Sequence, residues 1–512
     1  MTSIIIQSPF TIKVNYKIYV AFCIFFLLCI FSLSVHAQTK PNVIYIYADD
    51  LGYGELGSYG QQKIRTPNLD KLAKEGIRFT QHYTSAPVCA PARCMLLTGR
   101  HSGHTYIHGN YELGEFADSL EGGQMPLAEG TFTIGHLMQN AGYKTAIIGK
   151  WGLGMANTTG SPQQQGFDYA YGYLDQKQAH NYYPTHLWEN GRWDTLNNAV
   201  ISVHKKLDSL TATDKDFEYY NGKDYAPAKL TEKALSFIER NSKEPFFLYL
   251  PYTLPHLSLQ APALYVKKYM GQFEERPYFG QQGYASTKYP LSTYAAMITY
   301  LDDQVGIILD KIKKLGLDNN TIILFSSDNG ASFDAGGINR SFFNSNGGLR
   351  GVKAELFEGG IREPFIARWP NKIKAGSTSE LISIQFDFMA TLAELTQQKI
   401  AETDGISFLP TLIGNNQEQK KHDFLYFEFP EKGGQIAIRM GDWKGVKVDI
   451  RLHPEKKWML FNLANDRNET IDIAQAHPEL ISKFEAIVKK EHRNSHIKEW
   501  EFINPKFISV TH

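Results

Sequence analysis

The chain has 512 residues, 43% hydrophobic and 13% aromatic, enough for a large buried core in one large domain with a smaller one. Lysine and arginine number 53, as do aspartate and glutamate, so the charge balance does not imply a strongly basic nucleic-acid-binding surface. Charged residues make up 21% without long runs of one sign, so a disordered chain is excluded. An anionic substrate would therefore have to be held by a local group of basic residues.

The N-terminal segment has the features of a cleaved export signal. A stretch with two lysines precedes an apolar run at residues 18–33, and Val35 and Ala37 offer small side chains where a signal peptidase cuts. The alternative is a retained membrane anchor, but the run is short for a span of about 20 residues. We predict a signal peptide over residues 1–37, export to the periplasm or the extracellular space, and no stable membrane insertion after cleavage.

Two of the four cysteines, Cys23 and Cys29, would leave with the signal peptide. The exported protein would keep Cys89 and Cys94, too few for a disulfide framework. A bridge between these two is disfavoured because few backbones suit their short separation. A thiol retained in a predicted proline-containing loop around Cys89 therefore suggests a chemical role.

The first predicted elements alternate between strands and helices. Residues 42–48 form an apolar, β-rich run, typical of a buried strand, that ends in two aspartates. A helix is predicted to begin with Thr66 as its N-cap and Pro67 at its first position. A second helix, at residues 131–142, leads into a strand at residues 144–148.

The alternation continues with a strand at residues 246–250, an amphipathic helix at 293–315 and a strand at 321–326 that ends in a second acidic pair. This order favours an α/β sandwich with a mostly parallel sheet. After about residue 420, short strands follow one another at hairpin spacing, and one helix is predicted at residues 478–492.

These patterns predict three segments: the signal peptide, a catalytic domain over residues 38–420, and a C-terminal subdomain over residues 421–512. The C-terminal subdomain is expected to form a small antiparallel sheet with one packed helix.

A cysteine motif follows the first helix. Cys89 begins the string Cys-Ala-Pro-Ala-Arg, which ends at Arg93, and Leu-Thr-Gly-Arg follows at residues 97–100. The first string alone is a weak signal, but the second stands at the matching offset. With both motifs the sequence resembles the formylglycine-dependent (type I) sulfatases of the alkaline phosphatase superfamily, in particular exported bacterial carbohydrate sulfatases. The resemblance covers nearly all of the mature chain and implies an alkaline-phosphatase-like sandwich with a large mixed sheet between helices.

The resemblance also implies a modified nucleophile. In that family a maturase oxidises the cysteine, here Cys89, to formylglycine (3-oxoalanine), which hydrates to a geminal diol. One hydroxyl attacks sulfur and releases the alcohol, which leaves a sulfo-enzyme intermediate. The second hydroxyl then loses its proton, and the intermediate collapses and expels sulfate. A plain serine would remain as a stable sulfate ester.

Two acidic pairs, Asp49-Asp50 and Asp328-Asn329, each follow an apolar strand. A single aspartate at a strand end usually caps a turn, but two pairs in this order match the family's metal ligands residue by residue. Three carboxylates and an amide oxygen favour Ca²⁺, with Mg²⁺ the less favoured ion. The metal is expected to bind a sulfate oxygen and to acidify the attacking hydroxyl.

Four further residues fall on catalytic positions of the family. Arg93, Lys150 and Lys353 match the cations that neutralise the sulfate and the formylglycine oxygens, a large catalytic contribution. His256 matches the histidine that donates a proton to the leaving alcohol.

One departure from the family concerns the general base. Many members carry a histidine where this chain has Gly152, and that histidine contacts the nucleophile. The base here could be Asp49, a metal-bound water, or one of the histidines His101, His104 and His180.

The segment at residues 178–184 is rich in aromatic and polar side chains, which suit the flat faces and hydroxyls of sugars. We expect His180 and Arg350 to contact the substrate; ordinary loop packing is the alternative. The predicted substrate is a sulfated glycan, with galactose or an N-acetylhexosamine as the sugar. Two other functions remain open: a phosphonate or phosphate ester hydrolase of the same superfamily, and an inactive glycan-binding relative.

Overall fold

The computed structural model describes residues 40–118 and 120–504. The predicted signal peptide lies outside these residues. Among the helices that are described, none combines the length and the apolar character needed to cross a bilayer.

An eleven-stranded mixed sheet lies at the centre of the protein. Its strands are β1 (Asn42–Ala48), β2 (Ile77–Tyr83), β3 (Lys144–Lys150), β4 (Tyr169–Tyr173), β5 (His186–Glu189), β6 (Arg192–Thr195), β7 (Phe246–Pro251), β8 (Thr321–Ser327), β9 (Arg362–Arg368), β10 (Ser377–Ser379) and β11 (Ser383–Ile384). Their spatial order is β10-β2-β9-β8-β1-β7-β3-β4-β5-β6, with β11 beside β2. The central run from β8 to β4 is parallel, and β9 is antiparallel to both of its neighbours.

Helices cover both faces of this sheet. The longer ones are α1 (Pro67–Glu75), α2 (Cys89–Thr98), α3 (Ile134–Asn140), α4 (Ala226–Arg240), α5 (Pro290–Lys314) and α6 (Asp387–Thr396). Because side chains alternate along a strand, Ile44 and Ile46 of β1 pack with α1, α4 and α5. Tyr45 and Val43 face the other way and pack with α2, α3 and α6. The architecture confirms the predicted α/β sandwich with a large, mostly parallel sheet.

Two local predictions were wrong. The helix near Thr66 begins at Pro67 as expected, but the Thr66 hydroxyl does not cap it and instead accepts a hydrogen bond from Gly57 N–H at 2.9 Å. The segment around Cys89 is not a loop, because Cys89 is the first residue of α2. Proline is tolerated near a helix start, where its missing N–H is not needed. Cys89 and Cys94 are both free thiols.

A separate four-stranded antiparallel sheet lies near the C-terminus, as predicted. It contains β12 (Leu425–Phe429), β13 (Gln435–Met440), β14 (Trp443–Lys447) and β15 (Met459–Asn462), and α7 (Pro478–Glu491) follows it. Phe484 of α7 packs against Trp458 beside this sheet. The division of the chain at residue 420 stays a prediction.

Buried charges join the two sheets. Glu358 lies in the short helix Glu358–Ile361 that leads into β9, and Lys444 of β14 donates to its Oε1 at 2.9 Å. Lys444 also lies 2.9 Å from Glu469, and Arg362 lies 3.1 Å from Glu358. Glu358, Lys444 and Glu469 are fully buried. Burial raises the pKa of Glu469 to about 7, although Lys444 opposes the shift.

A histidine bridge within the C-terminal part of the chain links β12 to the segment after α7 and predicts a pH effect. His492 lies 3.0 Å from Glu428 of β12 and 3.4 Å from Glu501. Burial alone would lower the pKa of His492, but these two carboxylates raise it to about 9. The stabilisation is therefore fully present below the ordinary pKa of 6.5 and is lost as pH rises through about 9.

We expect His492→Gln to lower the unfolding temperature at pH 6, and the difference from wild type to disappear by about pH 10. His453→Gln is the matched control, because His453 is exposed and, among the described residues, its ring pairs with its neighbour Glu455 alone. Thermal unfolding across this pH range measures both variants. If the difference in unfolding temperature between wild type and His492→Gln stayed constant with pH, the stabilising role of the His492 bridge would be contradicted.

Candidate active site

The two acidic pairs meet at one edge of the central sheet. β1 and β8 are parallel neighbours in which Ala48 pairs with Ser327, so the residues that follow them emerge side by side. Asp50 N–H donates to Asp328 Oδ1 at 3.0 Å, and Asn329 Nδ2 donates to Asp50 Oδ1 at 2.7 Å. This edge, beyond the carboxyl ends of the strands, is where open α/β sheets bind ligands.

Cys89 lies beside this edge at the start of α2. Its side chain is 1% exposed. The thiol donates to Asp49 Oδ1 at 3.4 Å and lies 3.7 Å from Asn329 Oδ1. Burial raises the pKa of the thiol, and the charges of Asp328 and Asp49 raise it further. The thiol is therefore protonated at neutral pH.

Arg93 lies one helical turn after Cys89 on α2 and is fully buried. Its guanidinium donates to Asp328 Oδ2 at 2.7 Å and to the carbonyl oxygen of Lys150 at 2.9 Å, and it lies 3.5 Å from Asp49 Oδ2. A buried charge of this kind persists only when it is paired and hydrogen-bonded.

Two lysines complete the cationic side of the site. Lys150, at the end of β3, donates to Asp49 Oδ2 at 2.8 Å. Lys353 lies 2.7 Å from Asp50 Oδ1 and 3.5 Å from the Cys89 sulfur. Burial alone would lower the pKa of both lysines, but the carboxylates raise it, so both stay charged. The site thus holds three cations around three carboxylates.

His256 and His180 stack beside the carboxylates, with ring centroids 4.9 Å apart. His256 Nε2 lies 3.7 Å from Asp50 Oδ2, and its Nδ1 hydrogen-bonds the Leu257 carbonyl oxygen. His180 Nδ1 is buried without a hydrogen-bond partner among the described residues. Burial lowers the pKa of both histidines, and Lys353 lowers both further. Both rings are therefore neutral.

The other predicted sugar-contacting residue, Arg350, is held by contacts with Phe357 and Glu469. Arg350 stacks on Phe357 at 3.9 Å and donates to the carbonyl oxygen of Glu469 at 2.8 Å, which places it against the C-terminal part of the chain. No hydrogen bond joins Arg350 to His180 within the part of the chain that the structure describes.

His101 and His104 form a separate cluster with Asp404 and Glu491. Their rings stack at 4.0 Å, His104 Nδ1 lies 3.0 Å from Asp404, and His101 Nε2 lies 3.2 Å from Glu491. Gly103 N–H donates to His101 Nδ1, which leaves the proton of neutral His101 on Nε2, facing Glu491. These contacts tie both rings to neighbouring carboxylates.

Three residues that the sequence did not single out lie close to the nucleophile: Asn110, Gln176 and Glu431. Asn110 Oδ1 accepts from the backbone N–H of Ala90, the residue after Cys89. Gln176 lies beside Gly152, and Glu431 accepts from Asn110 N–H. They come from three distant segments, and no motif marks them, so only the folded structure brings them together.

The carboxylates at this edge fit a hard cation, and a thiol and an imidazole lie beside them. Ligand atoms of Asp49, Asp50, Cys89 and His256 all lie within 4.8 Å of one another. Burial and the charge of Asp49 raise the pKa of Asp328 to about 6, a sign of closely packed carboxylates that a cation would relieve. The carboxylate and amide oxygens could hold Ca²⁺ or Mg²⁺.

Comparison with known proteins agrees with this geometry. A family model described as Sulfatase matches residues 41–398, and one described as N-sulphoglucosamine sulphohydrolase, C-terminal, matches residues 352–494. The chain is 29% identical to an N-acetylgalactosamine-6-O-sulfatase of Bacteroides thetaiotaomicron, over 88% of this chain and 93% of that protein. It is 30% identical to the steryl-sulfatase of Homo sapiens, over 80% of this chain and 75% of that protein.

A similar solved structure is that of Ps i-CgsB in complex with k-i-k-neocarrahexaose, with a TM-score of 0.71 and 27% identity over 91% of this chain and 94% of that one. The carboxylate edge, the cysteine at the start of α2 and the family match lead to one assignment. The chain belongs to the sulfatase family and is a sulfuric ester hydrolase.

Proposed function

We propose that the protein hydrolyses O-sulfate esters of carbohydrates, with galactose or an N-acetylhexosamine as the sugar, after conversion of Cys89 to formylglycine. The observation that carries the proposal is the position of Cys89, at a helix start between three buried cations and three carboxylates. A sulfated glycan and the maturase that modifies Cys89 are the proposed partners, and the periplasm or the extracellular space is the proposed location.

The state of the thiol supports the modification. A cysteine acts as a nucleophile through its thiolate, and reactive cysteines have a lowered pKa. Burial and the neighbouring carboxylates instead raise the pKa of Cys89. An unmodified thiol is therefore a poor nucleophile here, whereas hydrated formylglycine offers hydroxyls at the same position.

The cations bind and orient the sulfate group. Arg93, Lys150 and Lys353 converge on the position of the nucleophile, where they can neutralise charge that develops on sulfate oxygens. A Ca²⁺ ion held by Asp49, Asp50, Asp328 and Asn329 would add Lewis-acid polarisation of a sulfate oxygen.

His256 is the proposed proton donor to the leaving oxygen. Its Nδ1–H faces the Leu257 carbonyl oxygen, which directs Nε2 toward the site. Lys353 lowers the pKa of His256, so an anionic ester bound nearby would oppose Lys353 and favour the imidazolium. The proton then lies on Nε2, where the leaving oxygen would take it.

Three groups are candidates for the general base: Asp49, His180 and a metal-bound water. Asp49 contacts the Cys89 sulfur directly, and His180 stacks on His256. His101 and His104 are committed to Asp404 and Glu491, so we do not assign the role to them. Of the two side chains, Asp49 lies nearer to the side chain at position 89.

Two observations support the substrate proposal. The N-acetylgalactosamine-6-O-sulfatase and Ps i-CgsB comparisons involve sugars, and the ring of Tyr284 lies 6.1 Å from that of His180, where it could pack against a sugar face. The test is an assay of matured, calcium-loaded protein on sulfated galactose and N-acetylhexosamine mono- and disaccharides. p-Nitrophenyl sulfate, phosphate and phosphonate esters complete the panel. We expect the highest kcat/KM for a sulfated sugar. Faster hydrolysis of the phosphate or phosphonate ester would favour the other branch of the superfamily, and binding without hydrolysis would favour an inactive relative.

The modification has a direct mass signature. We expect the peptide that contains Cys89, from active protein, to have lost the sulfur with its hydrogen and one hydrogen of the β-carbon and gained one oxygen, as conversion of –CH₂SH to –CHO requires. Peptide mass spectrometry measures this, and the peptide that contains Cys94 is the internal control. Fully active protein with an intact Cys89 thiol would contradict the proposal.

A further inference from the structure

A glutamine fills the space beside Gly152. A Cβ atom at Gly152, whose φ is +70°, would lie 2.8 Å from Gln176 Cγ, so this side chain packs directly on the glycine. Gln176 is 6% exposed, and its Nε2 donates to Gln124 Oε1 at 2.7 Å. Its Nε2 also lies 3.5 Å from Asn110 Oδ1. The glycine therefore makes room for a polar chain that leads to Asn110.

Asn110 is fixed against the nucleophile helix by one end of its carboxamide. Its Oδ1 accepts from Ala90 N–H at 3.0 Å. That amide belongs to the first turn of α2, where backbone N–H groups lack partners within the helix. Asn110 is otherwise exposed, and its Nδ2 donates to no described residue. The two N–H donors of Asn110 Nδ2 are therefore available to a ligand, and Asn110 contacts Ala90, the residue that follows Cys89.

Glu431 presents an acceptor at the same place. It lies in the turn between β12 and β13, and its Oε1 accepts from Asn110 N–H at 3.0 Å. Its Oε2 has no hydrogen bond to any described residue. Burial raises the pKa of Glu431, and the hydrogen bond from Asn110 and the charge of Lys353 oppose that shift.

We propose that Asn110 and Glu431 form a hydroxyl-binding pair at the mouth of the active site and determine which sugar sulfates are hydrolysed. Asn110 Nδ2 donates to, and Glu431 Oε2 accepts from, hydroxyls of the sugar that carries the ester. The inference rests on the proposed carbohydrate function. It gives the C-terminal sheet a direct part in substrate recognition.

The charge of Glu431 adds a rule about substrates. A carboxylate beside the bound sugar attracts neutral hydroxyls and repels a second anionic group. The pair therefore selects sugars with a single sulfate over sugars with a second sulfate or a carboxylate facing Glu431.

Two conservative variants test the pair. Glu431→Gln keeps an oxygen for Asn110 N–H but replaces the outward carboxylate oxygen, and Asn110→Asp keeps an acceptor for Ala90 N–H but removes the donors. We expect both to lower the ratio of kcat/KM for the best sugar sulfate to kcat/KM for p-nitrophenyl sulfate. The loss should be about tenfold for Glu431→Gln, which loses a hydrogen bond to a charged group, and about fivefold for Asn110→Asp, which loses one between neutral groups. Glu431→Gln is also expected to raise the relative kcat/KM for a disulfated sugar, a gain that misfolding cannot produce.

Lys432→Ala is the control, because Lys432 is in the same turn but is exposed and pairs with Glu355 on the surface. An equal loss on sugar and aryl sulfates, or an unchanged ratio in both variants, would overturn the pair. Wild-type protein that hydrolysed aryl sulfate but no sugar sulfate would instead overturn the carbohydrate assignment, and the pair with it. Failure of the carbohydrate function would appear in the wild-type assay, whereas failure of the hydroxyl-binding pair would appear in the two variants.

Discussion

The Cys89→Ser variant is expected to stop after at most one turnover. A serine hydroxyl would face sulfur between Lys353, Lys150 and Arg93, so transfer of the sulfo group remains possible. Breakdown of the formylglycine intermediate needs a second hydroxyl on the same carbon, which serine lacks. The variant should release roughly one equivalent of alcohol or less per protein, against continuous release by wild type, because covalent catalysis requires both steps.

Two measurements check this result in a host whose maturase requires cysteine. Burst kinetics count the alcohol released, and intact mass after exposure to substrate should increase by one sulfo group. Cys94→Ser is the matched control, since Cys94 is a buried cysteine of the same helix whose thiol lies against Thr105 instead. Sustained turnover by the unmodified Cys89→Ser variant would mean that formylglycine is not needed.

Asp328→Ala is expected to abolish activity and leave the fold intact. Asp328 contributes one carboxylate to the proposed calcium site and pairs with Arg93 at 2.7 Å. Loss of residues that merely orient metal ligands typically costs about 10–100-fold, so loss of a ligand itself should cost more. Asp49 lies 3.5 Å from Arg93 and still compensates its charge, which limits the cost to stability.

Calcium titration gives this prediction a readout that does not depend on turnover. Wild type should unfold at a higher temperature with added Ca²⁺, because a ligand that binds the native state stabilises it, and the variant should gain less. Asp303→Ala is the control; Asp303 pairs with Lys268 near the surface of α5. Wild-type turnover by Asp328→Ala, or full activity after exhaustive chelation, would contradict the metal assignment.

The carboxylate edge was predictable because it depends on local patterns. The runs before Asp49 and Asp328 are apolar and β-rich, and parallel strands end at a common edge, so the two pairs could be expected to meet there. The Cys89 motif was recognisable for the same reason, since its residues are contiguous. Its helical conformation was not predicted, because Pro91 favours a loop unless the helix start around it is known.

The remaining features depend on tertiary contacts. His101 and His104 are candidates for the base by residue type alone, and only packing shows that Asp404 and Glu491 hold them. Glu431 lies in a turn whose composition is that of an ordinary surface hairpin. Its contact with Asn110 exists because the folded chain places the β12–β13 turn beside residue 110. Arg350 stays a prediction for the sugar, and the sequence did not indicate that its guanidinium stacks on Phe357.

The buried Glu358 limits how this chain can be recombined with its relatives during evolution. Its carboxylate pairs with Arg362, close to it in the chain, and with Lys444, which belongs to the other sheet. Removal of one partner of a buried ion pair costs about 3–5 kcal/mol, a large share of the roughly 5–15 kcal/mol that stabilises a typical native protein. A crossover between positions 358 and 444 would therefore cost least when both parents carry the same pair. Exchange of the C-terminal sheet alone would remove Lys444 from Glu358 unless the incoming sheet supplied an equivalent cation.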